Sequence, residues 1–104
     1  MFRIYGSPMC PDCRECKANF DANGIAYEFI DINEKLCNLS DFLKLRDHSP
    51  VFDRCKEIGD IGLPAIVRED GTIFLDWEGY LTEQGKPIVY RESGQSCSID
   101  GKGC

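Results

Sequence analysis

Two cysteines, Cys10 and Cys13, stand where a strand-like pattern changes into a helical one. The stretch at 2–6, FRIYG, is rich in β-forming residues and is followed by a Gly-Ser-Pro turn. From residue 12 to residue 23 apolar side chains recur at helical spacing, and an Asn-Gly pair then ends the pattern. This junction constrains the fold most, because it orders a strand and a helix and places both thiols at the start of the helix.

The first half of the chain predicts a β-α-β unit. A second strand pattern lies at 25–32, and the two strands of such a unit are parallel with a right-handed crossover. A second helix is expected around 39–46, where the apolar spacing is again helical. Asn38 or Ser40 is the expected cap at its start.

A further short helix and a hairpin are predicted next. Ser49 has the character of an N-cap, a proline follows at the first helical position, and Gly59 is the expected stop. The predicted apolar face of this helix consists of Val51, Cys55 and Ile58. Segments 65–68 and 72–76 then flank an Asp-Gly pair, which favours a two-residue turn with positive φ.

The order β-α-β-α-α-β-β predicts an α/β fold with a mixed four-stranded sheet and helices on its faces. Residues 78–85 are expected to add one or two helical turns, and 86–92 a short strand or an extended segment. The end of the chain is rich in Gly and Ser, which is typical of irregular segments. We therefore expect one domain over 1–92 and a flexible, cysteine-containing tail over 93–104.

The charge and length of the chain exclude several function classes. A chain of 104 residues suits one domain with one core. Its formal net charge is −6, so we expect neither nucleic acid nor an anionic membrane as a partner. No apolar run approaches the ~18 residues of a membrane span, and no secretory signal pattern begins the chain. These features predict a cytoplasmic protein, in which a C-x-x-C motif means redox or metal chemistry more often than a structural disulfide.

The placement of Cys10 and Cys13 predicts a redox-active dithiol. Cys10 should be the N-cap, where free backbone N–H groups and the helix dipole favour a thiolate, and Pro11 should occupy the first helical position. Asp12, taken as one solvated carboxylate, opposes this effect, but the aligned amides should outweigh it and hold the pKa of Cys10 below ~8.5. Cys10 is then the exposed attacking thiolate, and Cys13, one turn deeper, resolves the mixed disulfide.

A second signal is Leu63-Pro64, directly before the hairpin. An X-Pro bond at this point can be cis, and the backbone of Leu63 is then open to pair with an extended substrate. Together with Cys10-Pro11-Asp12-Cys13 after the first strand, this resembles the glutaredoxin-like branch of the thioredoxin fold, over about residues 2–77. The resemblance implies a disulfide oxidoreductase active in electron transport and redox homeostasis, with Cys10 as nucleophile, Cys13 as resolving thiol and Pro64 in the cis form.

The chain departs from the glutaredoxin pattern where that family binds glutathione. Ser7 replaces a lysine common three positions before the first cysteine, and Asp12 replaces an aromatic residue. The stretch 76–79 replaces paired glycines and an aspartate. No cofactor is expected beyond the disulfide itself, with glutathione as one possible co-substrate. The expected partners are a disulfide-containing protein or small thiol as substrate, and glutathione or a reductase as electron donor.

The alternative hypothesis is a metal or iron–sulfur module that uses Cys10, Cys13 and other cysteines. Cys16 shares a helical stripe with Cys13, so it is expected in the core rather than on a metal, and no metal ligand is assigned. Cys97 and Cys104 have four open roles, namely a disulfide, an electron relay, a metal site or incidental exposure. Cys55 is expected in the core, Cys37 is undecided, His48 is expected at the surface, and Trp77 is expected to pack on the sheet rather than line a groove.

Overall fold

A computed structural model describes residues 1–90 of the chain. The predicted tail over 93–104, with Cys97 and Cys104, lies outside the described residues, as does the predicted domain end at residue 92. Within the described part, no helix is both long and apolar enough to cross a membrane.

The described residues form a mixed four-stranded sheet with helices on both faces, which confirms the predicted fold class. The strands are β1 (Phe2–Gly6), β2 (Tyr27–Asp31), β3 (Ala65–Val67) and β4 (Ile73–Phe74), and the helices are α1 (Pro11–Ala22), α2 (Leu36–His48), α3 (Asp53–Ile58) and α4 (Trp77–Glu83). In space the strands follow the order β2-β1-β3-β4. The β1–β2 pair is parallel, as the β-α-β pattern predicts, and the other two pairs are antiparallel.

Two apolar clusters hold the helices against the two faces of the sheet. Neighbouring residues of β1 point to opposite faces, so Ile4 belongs to one cluster and Tyr5 to the other. The first cluster combines α1 and α4 with the sheet, through the buried residues Ile4, Cys16, Phe20, Ile66, Trp77 and Leu81. The second combines α2 and the segment before α3 with the opposite face, through Tyr5, Ile32, Phe42, Phe52, Ala65 and Val67. Cys10 and Cys13 therefore lie at the start of a helix whose buried residues anchor it to the sheet.

The start of α2 differs from the prediction. The helix begins at Leu36 after Lys35, which makes no side-chain capping bond, so neither Asn38 nor Ser40 is its cap. The Asn38 amide instead donates to the carbonyl oxygen of Asp31 at 3.0 Å. This bond links α2 to the end of β2, seven positions earlier, and the capping pattern of a helix start does not predict it.

The helix predicted after Ser49 begins with a 3₁₀ turn over Pro50–Phe52 and continues as α3. Ser49 caps this turn and Gly59 ends α3 in the left-handed conformation, as predicted. The predicted apolar face is only partly right: Cys55 is buried, but Val51 and Ile58 are 40% and 59% exposed. A 3₁₀ turn advances by three residues per turn, so the register shifts and Phe52 becomes the buried anchor.

The β3–β4 hairpin forms as predicted, but its turn is longer than the expected two residues. The backbone of Arg68 and Thr72 closes the loop with a hydrogen bond of 2.8 Å, and Gly71 adopts a φ of +92°. No residue other than glycine has a positive φ in residues 1–90, so Asp70 does not adopt the conformation that the two-residue turn requires. The Asp70 carboxylate instead accepts a hydrogen bond from the Thr72 N–H at 2.9 Å.

Residues 84–90, which follow α4, have no regular structure and are held by an asparagine of α1 and by the asparagine at its C-cap. The Asn19 amide bonds both backbone groups of Val89, donating to its carbonyl at 2.8 Å and accepting from its N–H at 2.7 Å. The Asn23 amide donates to the carbonyl of Pro87 at 3.2 Å. These bonds supply the pairing that a neighbouring strand would otherwise provide.

Candidate active site

The side chain of Cys10 caps the N-terminus of α1, as predicted. Its backbone is extended, with φ −94° and ψ 117°, and its sulfur accepts a hydrogen bond from the Cys13 N–H at 3.4 Å. Pro11 occupies the first helical position, where its missing N–H costs nothing. The thiol therefore faces the free N–H groups of the first helical turn, the positive end of the helix dipole.

This position acidifies Cys10. The pKa of its thiol falls from an ordinary 9.0 to about 7, chiefly because the Cys13 thiol hydrogen-bonds the Cys10 sulfur. Burial raises the pKa and is the next largest influence, while the backbone N–H groups of Cys13 and Asp12 lower it further. The negative charge of Asp12 raises it by the smallest amount, in the direction that the sequence predicted. The same hydrogen bond and burial raise the pKa of Cys13 well above its ordinary value, so the two thiols differ sharply in acidity.

Cys13 lies one helical turn deeper and is fully buried, at 0% exposure. Its sulfur sits against the end of β1, where a methyl group on Gly6 would approach it to 2.9 Å. Only a residue without a side chain fits there, so Gly6 makes the space in which the Cys13 thiol lies. Both Cys10 and Cys13 are present as free thiols.

Asp12 is held by a tryptophan rather than left in solvent. The indole N–H of Trp77 donates to its carboxylate at 3.2 Å. Burial is the main cause that raises the pKa of Asp12, and the bond from Trp77 acts against it. Trp77 is 1% exposed and belongs to the core, which confirms that it packs on the sheet. Its contact with the residue between the two cysteines is a link that the sequence did not reveal.

Cys10 lies at the floor of a groove of about 200 Å³. The groove is lined by Ser7, Met9, Cys10, Ile32, Asn33, Ile61 and Leu63. Cys10 itself is only 4% exposed, so the expectation of an exposed thiolate is wrong. Its sulfur turns towards the amides that it caps, and a partner sulfur would approach it along the groove.

The Leu63–Pro64 bond borders this groove and is cis. The backbone N–H and C=O of Leu63 form no hydrogen bond with any residue in 1–90. The predicted substrate-binding pair thus comes together with the predicted nucleophile, although the two are more than fifty residues apart in the chain.

Ser7 and Arg46 make supporting contacts at the groove. Ser7 is buried, and its hydroxyl donates to the side-chain oxygen of Asn33 and accepts from the N–H of Met9 at 3.1 Å. Arg46 of α2 donates to the carbonyl of Ile61 at 2.9 Å and to that of Asp60 at 2.7 Å. These bonds fix the two loops that form the walls of the groove. A polar residue in a turn and an arginine on a helix carry no local signal of such roles.

The other predicted residues lie away from this pair or deeper in the core. Cys16 is 0% exposed and packs in the first cluster, and Cys55 is buried, as expected for both. Cys37 is exposed, and the His48 ring is exposed beside the carbonyl of Lys44. Within residues 1–90, no three His, Cys, Asp or Glu side chains are placed to hold a metal ion. The metal hypothesis also involves Cys97 and Cys104, so it stays a prediction.

Comparisons with known proteins agree with this geometry. The glutaredoxin family model matches residues 2–51, the part that contains β1, the dithiol and β2. A protein of Haemophilus influenzae, described as uncharacterized, is 36% identical over 73 residues, which cover 70% of this chain and 85% of that protein. A glutathione S-transferase from Xanthobacter autotrophicus has a similar fold, with a TM-score of 0.51 and 21% identity. That alignment covers 84% of this chain but only 38% of the transferase.

Proposed function

Because the chain belongs to the glutaredoxin family, we propose that it is a thiol–disulfide oxidoreductase with Cys10 as nucleophile and Cys13 as resolving thiol. The observation that carries this proposal is the position of the Cys10 sulfur at the N-cap of α1. There it accepts a hydrogen bond from the Cys13 N–H, and the pKa of the thiol falls to about 7. At neutral pH about half of such a thiol is thiolate, the reactive form.

In the first step the Cys10 thiolate attacks one sulfur of a substrate disulfide. A bond forms between Cys10 and that sulfur, the substrate S–S bond breaks, and the second substrate sulfur leaves as a thiolate that takes up a proton. A Cys10 with a pKa near 7 is partly ionised at neutral pH, which suits it for this attack.

In the second step Cys13 loses its proton and attacks the Cys10 sulfur. The Cys10–Cys13 disulfide forms, the bond between Cys10 and the substrate breaks, and the remaining substrate sulfur leaves as a thiolate that takes up a proton. Over both steps the substrate gains two electrons and the protein loses two. The raised pKa of Cys13 keeps it protonated until Cys10 is no longer a thiolate, because its main cause is the bond to Cys10. Forming the mixed disulfide removes that charge and makes Cys13 easier to ionise.

A two-electron donor must then restore the dithiol. We propose glutathione or the dithiol of a reductase for this role, with the reducing cytoplasm as the compartment. Supplying each donor in turn to the oxidised protein, with a small disulfide as the terminal acceptor, identifies the one that supports turnover.

The mechanism is tested by trapping, in a background in which Cys37, Cys97 and Cys104 are serine. Cys13→Ser should accumulate a mixed disulfide at Cys10, detected as a mass increase, since the resolving thiol is missing. Cys10→Ser should form none, and Cys16→Ser, which alters a core cysteine, should retain turnover. Full turnover in both Cys10→Ser and Cys13→Ser would show that another pair carries the chemistry.

A further inference from the structure

The groove beside Cys10 has an apolar and uncharged lining. Met9, Ile32, Ile61 and Leu63 contribute its apolar side chains, and the polar ones, Ser7 and Asn33, are bonded to each other. Its volume of about 200 Å³ is below the ~300–1,000 Å³ of pockets that enclose a whole small ligand. The groove therefore suits one or two apolar side chains beside the reacting sulfur.

The charges near this groove do not favour an anionic ligand. Among residues 1–90, two cations contact backbone beside the groove through carbonyl oxygens. Arg46 donates through Nε and Nη2 to the carbonyls of Ile61 and Asp60, and Arg14 donates through Nη1 to the carbonyl of Pro8. Asp12, two positions after Cys10 in the chain, adds a negative charge near the sulfur. Oxidised glutathione carries four carboxylates, and no lining residue of the groove is a cation that could bind one of them.

Two residues at the groove keep large apolar surfaces in solvent. Met9 is 75% exposed and Ile61 is 44% exposed, and they precede Cys10 and Leu63 closely in the chain. Exposed apolar side chains that converge on a reactive group are typical of recognition surfaces. Leu63 adds backbone groups that are unbonded within residues 1–90, and these can pair with an extended polypeptide.

We propose that this groove, formed by Met9, Ile61 and Leu63 around Cys10, selects disulfides of extended polypeptides that carry an apolar residue next to the attacked cysteine, in preference to glutathione disulfide. This inference rests on the proposed oxidoreductase function. The apolar neighbour packs between Met9 and Ile61, and the substrate backbone pairs with Leu63. The reaction is the first exchange step: the Cys10–substrate bond forms, the substrate disulfide breaks, and its second sulfur leaves as a thiol with the proton that it takes up.

The test compares rate constants of the reduced protein with four disulfides under excess substrate. They are the symmetric disulfides of the capped tripeptides Leu-Cys-Leu, Ser-Cys-Ser and Asp-Cys-Asp, and glutathione disulfide, with bis(2-hydroxyethyl) disulfide as a reagent that lacks side chains. Rates are read from the mass of the Cys10 peptide after acid quenching. The leucine peptide should react about tenfold faster than the serine peptide, because partial burial of one leucine side chain has this effect. The aspartate peptide and glutathione disulfide should react no faster than the serine peptide.

The variants Ile61→Glu and Met9→Glu should each reduce the leucine-to-serine rate ratio to about two or less. The ratio is measured within each variant, so a general loss of reactivity cancels. Ile58→Glu changes an apolar residue outside the groove whose 59% exposure lies between those of Ile61 and Met9, and it should keep the ratio of the unmodified protein. Equal rates for the leucine and serine peptides, or a faster reaction of glutathione disulfide, would overturn the inference while leaving the oxidoreductase intact. No reaction with any disulfide, including the hydroxyethyl reagent, would instead overturn the proposed function and this inference with it.

Discussion

The acidity of Cys10 depends most on the side chain of Cys13, and this can be separated from the helix N-terminus by two substitutions. Cys13→Ala removes the thiol donor but keeps the backbone N–H groups of residues 12 and 13. A hydrogen bond to a charged group contributes about 1.5–3 kcal/mol, and a thiol is a weak donor, so the low end applies. About 1.5 kcal/mol equals roughly one pKa unit, so the pKa of Cys10 should rise from about 7 to roughly 8. Cys13→Ser keeps a donor and should stay near 7.

The assay is the pH dependence of alkylation by iodoacetamide, quantified on the peptide that contains Cys10. Peptide resolution is needed because other free cysteines, such as Cys37, also react. At pH 7 the thiolate fraction should fall from about one half to about one tenth in Cys13→Ala. A less acidic thiolate is a better nucleophile by about threefold per pKa unit, so the rate at pH 7 should fall only about twofold. The pH of half-maximal rate is therefore the decisive quantity.

Cys16→Ala is the matched control, since Cys16 is a cysteine of the same helix that does not contribute to the Cys10 pKa. It should leave the half-maximal pH unchanged. If Cys10 titrates near 7 in both Cys13→Ala and Cys13→Ser, the backbone amides alone set its acidity and the Cys13 thiol does not contribute. If the unmodified protein titrates near 9, the N-terminus of α1 does not activate Cys10 at all.

Three further predictions concern the protons bound by the reduced dithiol, the space that Gly6 leaves for the Cys13 sulfur, and the bonds of Asn19 to Val89. The reduction potential of the Cys10–Cys13 pair should fall by about 59 mV per pH unit below pH 7 and by about 30 mV per pH unit above it. The reason is that the reduced form binds two protons below the pKa of Cys10 and one above it. The potential is measured in glutathione redox buffers, and a single slope from pH 5 to pH 9 would contradict this. Gly6→Ala should destabilise the protein by about 1–3 kcal/mol in urea unfolding, because its methyl group meets the Cys13 sulfur at 2.9 Å. The loss of stability should be smaller when Cys13 is also alanine. Asn19→Ala should lower the free energy of unfolding by about 1–3 kcal/mol and accelerate hydrogen exchange at the Val89 amide, because it removes the acceptor of that N–H. Unchanged exchange would show that Asn19 does not hold the segment around Val89.

The local features of this fold were predictable from the sequence, because they depend on neighbouring residues. The strand, N-cap and proline at the start of α1 follow from a few positions, and Gly59 ends α3 where it was expected. The predictions from the sequence are wrong where the backbone conformation changes within a few residues. The 3₁₀ turn Pro50–Phe52 exchanged Val51 for Phe52 in the core, and a longer loop replaced the expected turn at Asp70.

The contacts that support the groove and hold Asp12 could not be predicted in the same way. Arg46 of α2 donates a hydrogen bond to the carbonyl of Ile61, fifteen positions later in the chain. Trp77 donates one to Asp12, sixty-five positions earlier. Such bonds need the three-dimensional path of the chain, and arginine or tryptophan at these places fits a surface or a core equally well. The burial of Cys10 could not be predicted for the same reason, because residues from separate parts of the chain line the groove with it.

The cysteines of α1 show how position alone separates identical side chains into different chemical roles. Cys10, Cys13 and Cys16 follow one another at intervals of three residues, so each lies about one helical turn further from the N-terminus. Cys10 faces the free amides and the groove, and its pKa falls to about 7. Cys13 and Cys16 are fully buried and their pKa values rise, in Cys16 mainly because burial disfavours the charged form. Of these two, only Cys13 bonds the Cys10 sulfur, so successive turns of the helix carry an acidified thiol, its buried hydrogen-bond partner and a core residue.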